Sequence, residues 1–390
     1  MTRTTATLGA SDILPGDASA ILVGRVWSEA EGGPCPVLIR QAEVLDLSGI
    51  SPTVSGLLER DDLLSLLEGD YPSLGPLDGF LDTGSGQGAS GRLLAPCDLQ
   101  AIKAAGVTFA GSMIERVIEE RAKGDPGRAE ALRHEIAEVL GGSLRGVVPG
   151  SDKAAAAKER LQELGLWSQY LEVGIGPDAE VFTKSQPLSA VGCGADIGVH
   201  AASSWNNPEP EVVLAVSSAG AIRGASLGND VNLRDVEGRS ALLLGKAKDN
   251  NCSAAIGPFI RIFDDRFTLE DVSELTVGLD IHGEDGFTLS DVSRMSEISR
   301  APADLVAQTC NASHCYPDGF MLYLGTMFAP TKDREAPGLG FTHHTGDVVA
   351  ISADPLGRLV NTVRPCDALP PWTFGTRALM ENLAGRGLLK

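Results

Sequence analysis

The chain has 390 residues, room for about two domains, and its 43% hydrophobic against 22% charged residues allow a sizeable buried core. Its formal net charge of −20 would repel a phosphate backbone, which sets nucleic acid aside as a partner. No apolar run reaches the roughly 18 residues of a membrane helix, and the N-terminal MTRTTATLGASDILPGDASA lacks the apolar centre of a signal peptide.

Residues 1–96 read as short strands and turns, SAILVGRVW and PCPVLIRQAEVLDLS, followed by the glycine-rich DTGSGQGASGR. We expect a small β-rich N-terminal domain here and a second domain over 97–390. Residues 98–166 change to helical spacing. In DLQAIKAAGVTFAGSMIERVIEERAKG the helical pattern is interrupted at Gly106. The next helix starts at Asp125 as N-cap with Pro126 at its first position and stops at Gly141-Gly142. A third starts at Ser151 and stops at Gly165. From Tyr170 onward, short runs alternate with glycines: LEVGI, AEVFTK, VVLAV, AAIGPFIRIF, LTVGLDI, GFMLYLGTMF, DVVAISA and GRLVNTV. Many short strands of this kind predict a sandwich, roll or barrel. The seven cysteines are scattered without a Cys-x-x-Cys pair, which fits a reducing cytoplasm better than a disulfide framework.

The stretch NNPEPEVVLAV sets Glu209 and Glu211 at the mouth of a buried strand. Residues i and i+2 of a strand share a face, about 7 Å apart along the chain. Carboxylates that close repel unless a positive charge lies between them, and a divalent cation such as Mg²⁺ accepts oxygen ligands. Solvated charges at a strand edge satisfy the same spacing. Asp230, 19 residues after Glu211, sits in a Gly-Asn-Asp turn and offers a third carboxylate, although Asn-Asp is also ordinary turn chemistry. Lys248 and Lys246, in LLLGKAKDNN, are equal candidates on local grounds for holding a substrate oxyanion, and either is equally readable as a surface lysine.

Taken together, PEPE, GNDVNLRDVEG, AKDNNCSAAIGPF, LYLGT, TGDVVAIS and GRLVNTV, in this order over about 170–370, resemble the fumarylacetoacetate hydrolase superfamily. The resemblance implies an α+β fold: a mixed β-roll with a helical insertion, beside the small N-terminal domain. It implies Mg²⁺ or Mn²⁺ held by Glu209, Glu211 and Asp230. It selects Lys248, ten residues before Pro258, over Lys246, and it places Thr326, after Gly325, against substrate. The stretch AEVFTKSQPLSAVGCGADIGVHAASSWNNPEPE is similar to the 2-keto-3-deoxy-pentonate dehydratase branch. By that likeness Glu180, 29 residues before Glu209, is the acid/base, and Lys184 and Ser185 line the pocket. The implied partner is a small-molecule 2-keto acid, and the implied assembly a homodimer or homotetramer.

One departure bears on the reaction. The carbon–carbon hydrolases of the superfamily carry a His and a Glu on a short lid helix. Here GVTFAGSMIER has Ser112 at the histidine's place while Glu115 remains. Without an imidazole, water loses its natural base. The expectation is therefore elimination of water from a xylonate- or arabinonate-derived 2-keto-3-deoxy-pentonate, giving 2,5-dioxopentanoate. An acylpyruvate-type hydrolase of the same fold and a keto-acid-binding protein without turnover are the alternatives. Asp82 of DTG reads as a glycine-rich turn, since no second copy supplies a protease dyad. GCGADIG is not a dinucleotide fingerprint. His343 and His344 read as loop residues facing apart.

Overall fold

A computed structural model of the chain describes residues 8–81, 90–123, 125, 127–129, 147–326, 330 and 332–389. The apolar run VVLAV folds as the strand Pro210–Val216, every residue of it buried. It pairs antiparallel with Ile222–Asp230 on one side and with Phe320–Tyr323 on the other. Because side chains alternate across a strand, the run feeds two cores. Val212, Leu214 and Val216 pack in one with Leu279, Ile351 and Leu359. Val213 and Ala215 pack in the other with Val54, Leu57 and Leu58. A strand covered on both faces has no polar face to alternate with, hence the nearly unbroken apolar sequence.

The strand lies in an eleven-stranded sheet that runs, in spatial order, Ser73–Pro76, Glu43–Asp46, Gly33–Arg40, Leu22–Ser28, Ala254–Ile262, Ile222–Asp230, Pro210–Val216, Phe320–Tyr323, Ala101–Gly106 and Glu180–Ser185. Gly91–Leu94 pairs beside Leu22–Ser28. A second sheet of five strands, Thr288–Arg294, Thr276–His282, Val348–Ala353, Gly357–Pro365 and Asp196–Val199, supplies the Leu279, Ile351 and Leu359 that face the first. Helices and mixed sheets together make the α+β class expected from the sequence. The N-terminal strands do not stand apart from the rest. Leu22 pairs with Arg261 and Val23 with Ile260, and Val26, Val37 and Leu38 share the two cores just described.

Two elements differ from their sequence reading. Ala101–Gly106, assigned to a helical pattern, is a strand with neighbours on both edges. Its alanines and Ile102 suit either state, and tertiary pairing decides. LEVGI, read as a strand, belongs to the helix Gln169–Ile175, which the Ser168 side chain opens by accepting from the Tyr170 N–H at 3.2 Å. Tyr170, Leu171 and Ile175 of that helix pack against Met113 and Val117 of the helix Ala110–Ala122 and Leu161 of the helix Asp152–Glu163. Ser151 caps the latter through the Ala154 N–H at 3.2 Å, and the chain leaves it at Gly165 with φ +64°. Asp125 accepts from the Arg128 N–H at 2.9 Å as an N-cap should. The rest of that helix, its Gly141-Gly142 stop and Asp82 lie outside the described residues. Among the described residues no helix is long and apolar enough to cross a membrane.

Asp98 ties the N-terminal helix Val54–Leu58 to the sheet. Its carboxylate accepts from the N–H groups of Val54 (2.6 Å), Ser55 (3.0 Å) and Leu99 (2.8 Å) while almost wholly buried. Asp98→Ala strands two buried donors and one part-buried donor, and we expect it to lower the unfolding free energy by about 2 kcal/mol, read from urea denaturation midpoints at unchanged m.

Candidate active site

Glu209, Glu211 and Asp230 meet where the two central strands end. Glu209 just precedes Pro210, and the backbone clamps it: its N–H donates to the Asn229 side chain at 3.1 Å and its carbonyl accepts from Asp230 N–H at 3.0 Å. Glu211 lies across from Gly228, two residues short of Asp230. The three carboxylates offer oxygens all within 4.8 Å of one another, each residue no more than 2% exposed. The solvated strand-edge reading is thereby excluded.

Basic groups converge on this trio. Lys248 Nζ lies 2.8 Å from Asp230 Oδ2 and bonds Glu209 Oε2 as well. Lys184 Nζ is 2.9 Å from Asp230 Oδ1. The Arg116 guanidinium donates to Glu209 Oε1. Burial would discharge Lys248, but Asp230 and Glu209 hold its pKa above the usual value, so it is an ammonium. Burial likewise raises Asp230, and Lys184 and Lys248 outweigh it, leaving that carboxyl below its ordinary range. Glu211 accepts from the Gly325 N–H at 2.7 Å, in a turn that needs φ +98°. Burial and the Asp230 and Glu209 charges push its pKa well up. Lys246, by contrast, is exposed.

Glu180, Phe182, Thr326, Ser112, Arg116, Glu237 and Lys248 line the same pocket as the trio. Glu180 opens the strand Glu180–Ser185 opposite Gly106. A Cβ at 106 would lie 2.0 Å from Glu180 Oε2, so only glycine lets the carboxyl lean over its neighbour strand. Burial, and then the Glu237 charge, push the Glu180 carboxyl up to about 7. Ser112 is spent within its own helix, donating to the Phe109 carbonyl at 2.9 Å.

Two sequence assignments, Lys184 and Ser185, fall outside the lining. Lys184 is the extra residue of a bulge, between Thr183 opposite Lys103 and Ser185 opposite Ile102. Its ammonium is wholly buried behind Asp230 and also donates to Val231 O and Ser253 Oγ, both at 3.2 Å. Ser185, past the bulge, pairs with Ile102 on the face of Glu180 and Phe182 and bonds Ser189 Oγ. Both are thus corrected from pocket wall to support. Glu115 pairs outward with Arg234 at 3.3 Å. His343 pairs with Asp347 (3.4 Å), and His344 with Asp285 (3.2 Å) and Glu335; neither lines the pocket.

Sequence reasoning missed a buried ion network. Arg116 bonds Glu119 at 2.7 Å and lies 3.1 Å from Glu237. Arg234 bonds Glu119 at 2.6 Å and stacks 4.4 Å from the Trp205 ring. The only signal was i,i+3 pairing on two helices, which surface helices show as often.

The chemistry of the donor set tests whether a metal fits. Glu209, Glu211 and Asp230 bring only oxygens, all within 4.8 Å of one another, and the neighbouring Asp230 and Glu209 charges that raise Glu211 are the ones a cation would offset. An all-oxygen trio suits a hard divalent ion. We expect Mg²⁺ or Mn²⁺ at a hundred times its Kd to stabilise the fold by about 2.7 kcal/mol. Thermal unfolding should show this as a raised midpoint that Asp230→Asn abolishes.

Comparison with known proteins places the chain in a family. Residues 154–364, over half of the chain, match the family described as Fumarylacetoacetate (FAA) hydrolase C-terminal. A probable 2-keto-3-deoxyxylonate dehydratase of Haloferax volcanii is 32% identical over 204 residues, 52% of this chain and 66% of that protein. A 2-dehydro-3-deoxy-D-arabinonate dehydratase of Saccharolobus solfataricus is 30% identical over 185 residues, 47% of this chain and 58% of that protein. The matched region thus spans just under two thirds of the first relative and less of the second. A solved 2-keto-3-deoxy-D-arabinonate dehydratase complexed with magnesium and 2,5-dioxopentanoate shares the fold at TM-score 0.58 and 20% identity, covering 88% of this chain and 99% of its own.

Proposed function

The chain belongs to the fumarylacetoacetate hydrolase family, and we propose that it is a hydro-lyase converting a 2-keto-3-deoxy-pentonate of the xylonate or arabinonate series into 2,5-dioxopentanoate and water, a step of oxidative pentose breakdown. The observation that carries this is a pocket in which a carboxyl titrating near neutrality, Glu180, faces an acidic trio and a charged lysine. The dehydratase names of the two curated relatives support the same reading.

Glu209, Glu211 and Asp230 are the residues to hold Mg²⁺ or Mn²⁺, which when bound supplies Lewis acidity to the two oxygens of a 2-keto acid. Glu180 takes a proton from C3, acidic because it neighbours the C2 carbonyl. Lys248, kept as an ammonium, donates to the enolate oxygen as charge develops there. Thr326, on the pocket wall, orients the substrate by its hydroxyl. Lys184 holds Asp230 in place from behind. In this reading residues 97–390 carry the chemistry, and residues 1–96 complete the sheet. A homodimer or homotetramer belongs to the same proposal, and light scattering tests it.

The hydrolase alternative has less support. Cleavage of a carbon–carbon bond needs a base for water, and the lid position that would supply it carries Ser112, already bonded to Phe109 O. The deciding experiment is 2,5-dioxopentanoate formation from both 2-keto-3-deoxy-pentonate enantiomers, with Mg²⁺ and with chelator. Product from at least one, lost on chelation, is expected. No product from either, with acylpyruvate cleaved or with ligand binding alone, sinks the proposal.

Glu180→Gln should keep the metal-induced thermal shift and lose 10²–10⁴-fold in turnover. The pH profile follows from the same group. A base must be unprotonated, and a carboxyl with a pKa of about 7 is protonated below that value. Turnover in the parent should therefore rise as pH increases through about 7, and Glu180→Gln should lose that limb.

A further inference from the structure

We infer that Glu237 is a second proton-transfer residue, sharing the elimination with Glu180. This inference rests on the dehydratase reading. The reaction it divides has more proton transfers than one carboxyl serves comfortably. A proton leaves C3, the C4–O bond breaks as that oxygen gains a proton, and then C5 must give up a proton while C3 regains one.

The geometry points to Glu237 for the second half. It is 5% exposed and lines the pocket together with Glu180. Its Oε2 is ion-paired to an Arg116 nitrogen at 3.1 Å but accepts no hydrogen bond, while the same nitrogen donates to Glu119 at 2.7 Å. Such an oxygen keeps a lone pair that no protein hydrogen bond uses. The short helix Arg234–Glu237 holds it firmly at the wall. Arg234 is locked between Glu119, the Pro330 carbonyl at 3.3 Å and the Trp205 ring. Asp235 accepts from Ser203 Oγ at 2.7 Å and Ser204 N–H at 2.8 Å. After burial, Glu237 is also the largest influence on Glu180, so the two carboxyls sense each other across the pocket.

The steps balance. Glu180 as carboxylate takes the C3 proton. The C3–H electrons pass to the C2 oxygen as an enolate beside Lys248; the enolate then returns them as the C3=C4 bond while the C4–O bond breaks, and the hydroxyl takes the proton of Glu237 as a carboxylic acid and leaves as water. Glu237, now a carboxylate, takes a C5 proton while Glu180 returns its own to C3. The resulting C4=C5 enol becomes the aldehyde. Neither carboxyl is consumed, and no oxidant or reductant is required.

The test uses Glu237→Gln in the full chain with Mg²⁺, following product formation together with deuterium uptake at C3 of recovered substrate in D₂O. We expect product formation to fall about 100-fold while C3 exchange stays within tenfold of the parent, with Glu180→Gln losing both. A fall of less than tenfold in product, or loss of C3 exchange alongside it, overturns the inference. Should Glu237→Gln fail to fold, Glu237→Ala with added formate decides: restored turnover supports the role, and none refutes it. A parent inactive on both enantiomers overturns the dehydratase reading itself. An active parent with an unimpaired Glu237→Gln overturns only the role of Glu237.

Discussion

Three carboxylates with oxygens inside 4.8 Å repel one another, and water is almost absent to screen them. At an effective dielectric of about 20, two like charges 4 Å apart repel by about 4 kcal/mol. The fold must hold them there regardless. Burial of Val212, Val213, Leu214 and Val216 in the strand that carries Glu211 is worth about 1.5–3 kcal/mol for each side chain, comparable with the repulsion it opposes. The strand is pinned on both edges and covered on both faces. Its carboxylates therefore cannot relax apart by bending the backbone.

The surrounding charges follow from that constraint. A buried charge with its partner removed is strongly destabilising, whereas a matched set can be accommodated. Lys184 and Lys248 reach Asp230 from opposite oxygens. Arg116 reaches Glu209 from the helix Ala110–Ala122, and through Glu119 and Arg234 that helix is joined to Arg234–Glu237. The helical layer is thereby tied to the sheet by ions as well as by the apolar contacts of Met113 and Val117. The ties converge on the pocket, so the wall carrying Ser112, Arg116 and Glu237 is held in register with the strand ends carrying the trio.

How much of this was legible depended on range in sequence. The i,i+2 pair Glu209/Glu211 could be read as one face because strand periodicity is local. Asp230 needed only a turn and a return strand. Lys248 could not be separated from Lys246 locally, and family-like spacing rather than physics chose the one that is buried. Glu180 and Lys184 lie on one strand, yet only Glu180 lines the pocket, because a bulge at Lys184 breaks the alternation that sequence spacing assumes. Ala101–Gly106 and Gln169–Ile175 were misread for a related reason: short runs of alanine, valine and isoleucine take their state from pairing and packing. The i,i+3 spacings of Arg116 with Glu119 and of Arg234 with Glu237 resemble solvated helix faces, and only tertiary structure reveals that these side chains are buried.

Gly106 shows how the architecture reaches the chemistry. It is the last residue of a strand that pairs with Phe320–Tyr323 on one edge and with Glu180–Ser185 on the other. Its missing side chain is the space Glu180 fills. Lodged there, the carboxyl loses water and meets Glu237, and these two effects bring its pKa to about 7. An exposed glutamate would be ionised at neutral pH and a weak base. The basicity of this one is thus a consequence of sheet register: sliding the 180–185 strand by one residue would turn Glu180 to the opposite face. Elimination asks for a group that both takes and returns a proton near neutrality. The strand pairing supplies it from a side chain that carries no such property by itself.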